Sequence, residues 1–155
     1  MRRANRRRTA VFSVLAIAWT GALFVLSMQT GTDSGALSAG VTERLLGWMI
    51  ARGADASAAD HVVRKCAHFA GFALSGFFTG MALFSVRGTR RTLIASIGLE
   101  AVIAVLNELS QLIPDGRACS ARDMLIDFAG AAIGVLIAWA LNRRREHKER
   151  QGVEL

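Results

Sequence analysis

Long apolar blocks alternate with short clusters of arginine along this chain, and the blocks have the length of helices that cross a lipid bilayer. No charged residue interrupts positions 9–32. A helix rises about 1.5 Å per residue, so a run of that length spans a hydrocarbon core of roughly 30 Å. Three further blocks at 66–86, 92–113 and 124–141 join a first span at 9–29. The predicted fold class is all-α, a polytopic membrane protein with four transmembrane helices. It divides into a basic N-terminus (1–8), a membrane domain (9–141) and a charged tail (142–155).

Between the first two spans lies a connection of about thirty residues, too long for a simple turn and expected to hold structure of its own. Val41, Leu45, Trp48 and Met49 share one helical face there, with Thr42, Glu43, Arg44 and Arg52 as polar neighbours and Gly53 as a stop. This pattern predicts a short amphipathic helix. It either lies at the outer membrane surface with Trp48 as an interfacial anchor, or packs on the bundle away from the headgroups.

Inside the spans, polar positions also recur at helical spacing. Glu100, Ala104, Asn107, Glu108 and Gln111 form one stripe on the third span. His68, Gly71, Ser75 and Thr79 form another on the second, and Asp123, Asp127, Gly130 and Gly134 a third on the fourth. Polar and small groups within a bilayer seek protein partners, so the three stripes are expected to face one another. Ser75, Thr79 and the glycines read as packing positions. The ionisable residues read as functional candidates, since a charge at a span centre costs about 2.5–3.5 kcal/mol on insertion scales. Glu100 falls nearest the middle of its span.

Composition adds little to this picture until charge is placed along the chain. A hydrophobic content of 52% and a mean hydropathy of +0.35 exceed the soluble norm only modestly. The net charge of +7 suggests nucleic acid at first sight, but the clusters MRRANRRR, RGTRR and NRRREHKER each flank a span. They read instead as topology determinants, and no nucleic-acid partner is expected. If the first span starts inside, Arg2, Arg3, Arg6, Arg7, Arg8, Arg87, Arg90, Arg91, Arg143, Arg144, Arg145, Lys148 and Arg150 all face the cytoplasm. Both termini are then cytoplasmic. The first apolar run exceeds the roughly 7–15 residues of a signal peptide and no small-x-small cleavage site follows it, so cleavage is not expected.

With that topology, Arg64, Lys65, His68, Glu108, Gln111, Asp123 and Asp127 share the outer depth of the membrane. Arg117 and Arg122 hang over the same place from the loop that follows Pro114. An outward-facing polar pocket is predicted. Arg64, Lys65, Arg117 and Arg122 suit phosphate or carboxylate, with Glu108, Gln111, Asp123 and Asp127 orienting them or holding polar groups. Catalysis on a lipid headgroup is the alternative: His68 would act as acid or base, Glu108 or Asp123 would orient it, and Arg117 would stabilise developing charge. No nucleophile motif supports a definite reaction, and a purely structural polar network is a third reading. His61, Cys66, His68, Glu108 and Cys119 match no zinc spacing, so neither metal nor cofactor is predicted. The two cysteines, both on the outer side, read as unpaired rather than as a disulfide.

The segments "RKCAHF", "NELSQLIPDGR" and "SARDMLIDFAGAAIG" resemble, in order, the signature of the VanZ-like family of bacterial membrane proteins. The likeness extends over most of residues 10–141. It falls on Arg64, Lys65, His68, Glu108, Gln111, Arg117 and Asp123, with Gly130 and Gly134 as packing positions. Asn107, Asp127 and Phe72 depart from the residues the family often carries there, namely Asp, Asn and Tyr. The name-giving member is associated with resistance to the lipid-tailed glycopeptide teicoplanin. The resemblance therefore implies a bacterial cell-envelope protein of the cytoplasmic membrane. Its expected partner is a membrane lipid, a lipid-linked wall precursor or a lipophilic glycopeptide; the oligomeric state is not set by the sequence.

Overall fold

The computed structural model of the protein describes residues 2–86 and 88–151, in backbone alone at 2–4 and 150. Arg87 lies outside the described residues, as do the side chains of Arg2, Arg3 and Arg150, so four members of the basic clusters carry no structural statement. Among the described residues there are five helices and no strand: α1 (Arg2–Ser27), α2 (Gly31–Ile50), α3 (Ala56–Phe84), α4 (Arg90–Ser110) and α5 (Ala121–Gln151). Four of them, α1, α3, α4 and α5, are long and apolar enough to cross a membrane.

Local chemistry fixes where the helices start. Thr30 Oγ1 accepts from the Asp33 amide, Asp55 from the Ser57 and Ala58 amides, and Thr89 Oγ1 from the Thr92 amide. Each cap satisfies amides that have no partner within the helix. The Asp55 cap lets α3 begin at Ala56 rather than at 66, with Asp60, His61, Arg64 and Lys65 on a polar extension of the span. At the other end of the chain, α5 runs beyond 141 because Asn142 donates to Glu146 at 2.8 Å and Arg145 to Glu149 at 2.7 Å, both four residues on. Helix α4 stops at Ser110 rather than at 113, since Pro114 disfavours helical backbone just before it.

The α3–α5 contact is built from small residues. A Cβ at Gly76 would overlap the Ala131 carbonyl, one at Gly130 the Phe69 carbonyl, and one at Gly134 the Ala73 carbonyl. The two backbones approach so closely that only glycine fits. Gly130 and Gly134 were anticipated as packing positions; Gly76 adds to them, while Gly71 instead faces Leu23 of α1. Helix α1 is pinned to α3 by Trp19 Nε1, which donates to the Gly71 carbonyl at 2.8 Å, and by the hydroxyls of Thr20 and Ser75 at 3.1 Å. Phe72, Ala104 and Ala131 fill the core toward one end of the bundle, and Met81, Phe84, Val135 and Ala138 toward the other.

Arg8 at the start of α1 reaches Met81 near the end of α3, and Gly88 lies against Asn142 and Glu146 of α5. The two ends of the described chain thus share one end of the bundle. Helix α2 sits at the opposite end. It extends over twenty residues, and Ser34, Ser38 and Thr42, spaced four apart, turn toward the protein. Thr42 is buried while Leu45 and Trp48 are about 60% exposed. The helix packs through its polar face and leaves Leu45 and Trp48 of its apolar face uncovered.

Candidate functional site

Two polar rungs connect α3 and α5 above their glycine contact. Lys65 pairs with Asp123, and one turn further along both helices His68 Nδ1 donates to Asp127 Oδ1 at 3.2 Å. Asp127 is fully buried, and its second oxygen has no hydrogen-bond partner. The close approach of the backbones at Gly130 sets the short reach between these side chains. His68 was expected to lean on Glu108 or Asp123. Its partner is Asp127, because Asp123 lies at the level of Lys65 and Glu108 is engaged elsewhere.

Glu108, with no exposed surface, ties the end of α4 to the loop before α5. Its Oε2 accepts from Gln111 Nε2 and its Oε1 from the Ser120 amide, both at 2.8 Å. Gln111 Oε1 in turn accepts from Arg117 at 2.8 Å, and the other Arg117 terminal nitrogen donates to Ser34 Oγ of α2 at 2.6 Å. Arg117 is thus oriented by neutral oxygens. Its pKa is lowered from the ordinary arginine value by burial and by the nearby charge of Arg64, with Glu108 and Asp123 acting in the opposite sense. The loop is held in place from below: Gly116 takes a positive φ of 73°, and the Asp115 carbonyl accepts from the Gly31 amide at the start of α2.

Helix α2 closes the remaining side. Ser38 donates to Asp60 Oδ2 at 3.2 Å, Thr42 donates to Asp60 Oδ1 at 3.0 Å, and Arg64 donates to Ser38 at 3.0 Å. Ser34, Ser38, Thr42 and Asp60 did not emerge from the sequence as site residues. The spacing of four between Ser34, Ser38 and Thr42 was the available signal. Arg122, a sequence candidate, is exposed and lines neither of the cavities described next.

Arg64, His68 and Arg117 stand on the boundary between two cavities and line both. The first, of about 190 Å³, has apolar walls from Leu23 and Leu26 of α1, Leu37 and Val41 of α2, and Val63 and Phe72 of α3. The second, of about 340 Å³, is polar and includes Asp60, His61, Lys65, Gln111 and Asp123. Asn107 lines the apolar cavity, is fully buried, and makes no hydrogen bond through either its side-chain oxygen or its side-chain nitrogen. A buried polar group without a partner costs about 1–3 kcal/mol, a cost that stability alone does not explain. Among the described residues no three His, Cys, Asp or Glu side chains are grouped so as to hold a metal ion, and Cys66 and Cys119 are free thiols.

The order of the polar motifs and this arrangement coincide with a match to a known family model, VanZ/LLP1, over residues 12–142. The chain belongs to the VanZ/LLP1 family. The matched region takes in both cavities and all five helices at least in part. No curated protein and no solved structure matches the chain.

Proposed function

We propose that this VanZ/LLP1 protein binds an anionic amphiphile at the outer face of the bacterial cytoplasmic membrane. The positive-inside bias of the arginine clusters supports placing both termini in the cytoplasm and the cavities on the outside. One observation carries the ligand class: Arg64 and Arg117 line an apolar cavity on one side and a polar cavity on the other. Arg64, which also pairs with Asp60 at 3.4 Å, and Arg117 act on each other as like charges, and a phosphate or carboxylate between them relieves that repulsion while accepting paired hydrogen bonds. An apolar chain attached to that anion then occupies the first cavity. An anionic lipid, a lipid-linked wall precursor and a lipophilic glycopeptide of the teicoplanin type all meet this description. A contribution to teicoplanin-type resistance follows if the last is the physiological ligand.

Native mass spectrometry of the gently purified protein tests the reading. Wild type should carry a selectively retained anionic lipid, and Arg64→Ala and Arg117→Ala should lose it while remaining folded. An unliganded wild type, with variants that unfold, would instead make the arginines structural struts.

A second reading draws on the His68–Asp127 pair. A buried carboxylate on Nδ1 fixes the ring and leaves Nε2 for proton transfer, the arrangement of a general base. Headgroup hydrolysis by a water activated at His68 is the reaction class this pair supports.

A further inference from the structure

We infer that the site selects a single-chain amphiphile with an amide or hydroxyl between its tail and its anionic head, and that Asn107 is the residue that recognises this linker. The inference rests on the proposed ligand class and adds to it the number of chains and the chemistry of the linker.

The order of groups along α4 carries the linker assignment. Ala104 belongs to the apolar cluster with Phe72, which forms the floor of the first cavity. Gln111, two turns further along, holds Arg117 at the boundary with the polar cavity. Asn107 lies between them on the same face, with an axial distance to Gln111 of about 6 Å at 1.5 Å per residue. A ligand with its tail over Phe72 and its anion on Arg117 therefore passes Asn107 with the few atoms that join tail to head.

The unsatisfied chemistry of Asn107 identifies what those atoms should be. Its side chain presents one acceptor and one donor group, both buried and neither paired. A secondary amide supplies an N–H for Oδ1 and a carbonyl for Nδ2, and a hydroxyl does the same through one oxygen. An ester offers acceptors alone and leaves Oδ1 without a partner. Sites built to hydrogen-bond a group discriminate strongly against analogues that lack it, because the unpaired partner stays buried.

Cavity size carries the chain number. At about 190 Å³ the apolar cavity is smaller than the roughly 300–1,000 Å³ of a site that encloses an entire drug-sized ligand. On that size the site is assigned a single chain, part of which it encloses.

The test is calorimetric titration of the full-length protein in detergent with three probes: N-dodecanoyl phosphoethanolamine, its oxygen-ester counterpart, and a diacyl phosphatidate. The amide should bind wild type about tenfold more tightly than the ester, one net hydrogen bond in size, and both should exceed the diacyl lipid. Asn107→Leu should remove the amide preference and keep ester binding. Leu37→Trp, on the partly exposed wall of α2, should weaken both single-chain probes without disturbing the core. Equal affinity of wild type for amide and ester would overturn the linker assignment, and the wild-type comparison decides this even if Asn107→Leu does not fold. Diacyl binding as tight as the amide would overturn the single chain. Either failure leaves the anionic-amphiphile reading standing. That reading fails separately if none of the probes binds wild type, or if Arg117→Ala binds all three as wild type does.

Discussion

At the scale of single residues, the site depends on how Arg117 is held. It bridges Gln111 of the α4 end to Ser34 of α2 through two separate nitrogens, a geometry that a planar guanidinium supplies and an ammonium does not. Arg117→Lys should keep the positive charge, fold normally and weaken binding of an anionic amphiphile by about tenfold, the loss of one charge-assisted hydrogen bond. Titration of the purified variant checks this, and unchanged affinity would show that charge alone suffices. Most of these residues were legible in the sequence because charge in an apolar run is conspicuous. Lys65 and His68 stood out that way, Gln111 by its place on a polar stripe and Arg117 by its place in the loop between two spans. Which partner each takes was not, since His68 with Asp127 rather than Asp123 depends on the registry of two helices distant in sequence. Arg122 shows the opposite limit: one position past the start of α5, its charge looks the same in the sequence but its side chain is exposed.

At the scale of elements, two contacts position everything else. The first is the glycine seam between α3 and α5. Gly134→Val would force a side chain into the Ala73 carbonyl and should cost at least the roughly 1–3 kcal/mol of an overpacked core. A lowered melting temperature in detergent, together with loss of ligand binding, is the expected result, because the seam also sets the Lys65–Asp123 and His68–Asp127 rungs. The second is α2, whose polar face satisfies Asp60 and Arg64 and helps to orient Arg117. Its apolar residues were read correctly as one face. The sequence left open whether this face turns away from the protein, because an amphipathic pattern states that two faces differ and not which one finds a partner. Asp60 decided the matter, since a carboxylate at the start of α3 draws hydroxyls toward it.

At the scale of the whole molecule, the four spans were readable because hydrocarbon thickness fixes helix length. The boundaries shifted where caps and polar turns extend helices beyond the apolar core, as at Asp55 and along the α5 tail. The shared end of the two termini gives the molecule a polarity, and the proposed orientation rests on the arginine clusters. In a background with Cys66 and Cys119 replaced by alanine, Arg90→Cys should resist a membrane-impermeant thiol reagent applied to whole cells and react once the membrane is opened. Labelling from outside would invert the proposed orientation and put the cavities in the cytoplasm. The most direct measurement is a structure of the full-length protein bound to a single-chain amphiphile with a brominated tail and a phosphate head. Bromine beside Leu23 and Phe72, with the phosphate between Arg64 and Arg117, is the expected result. Bromine confined to the lipid-facing surface of the bundle, with both cavities unoccupied, would contradict the proposed function.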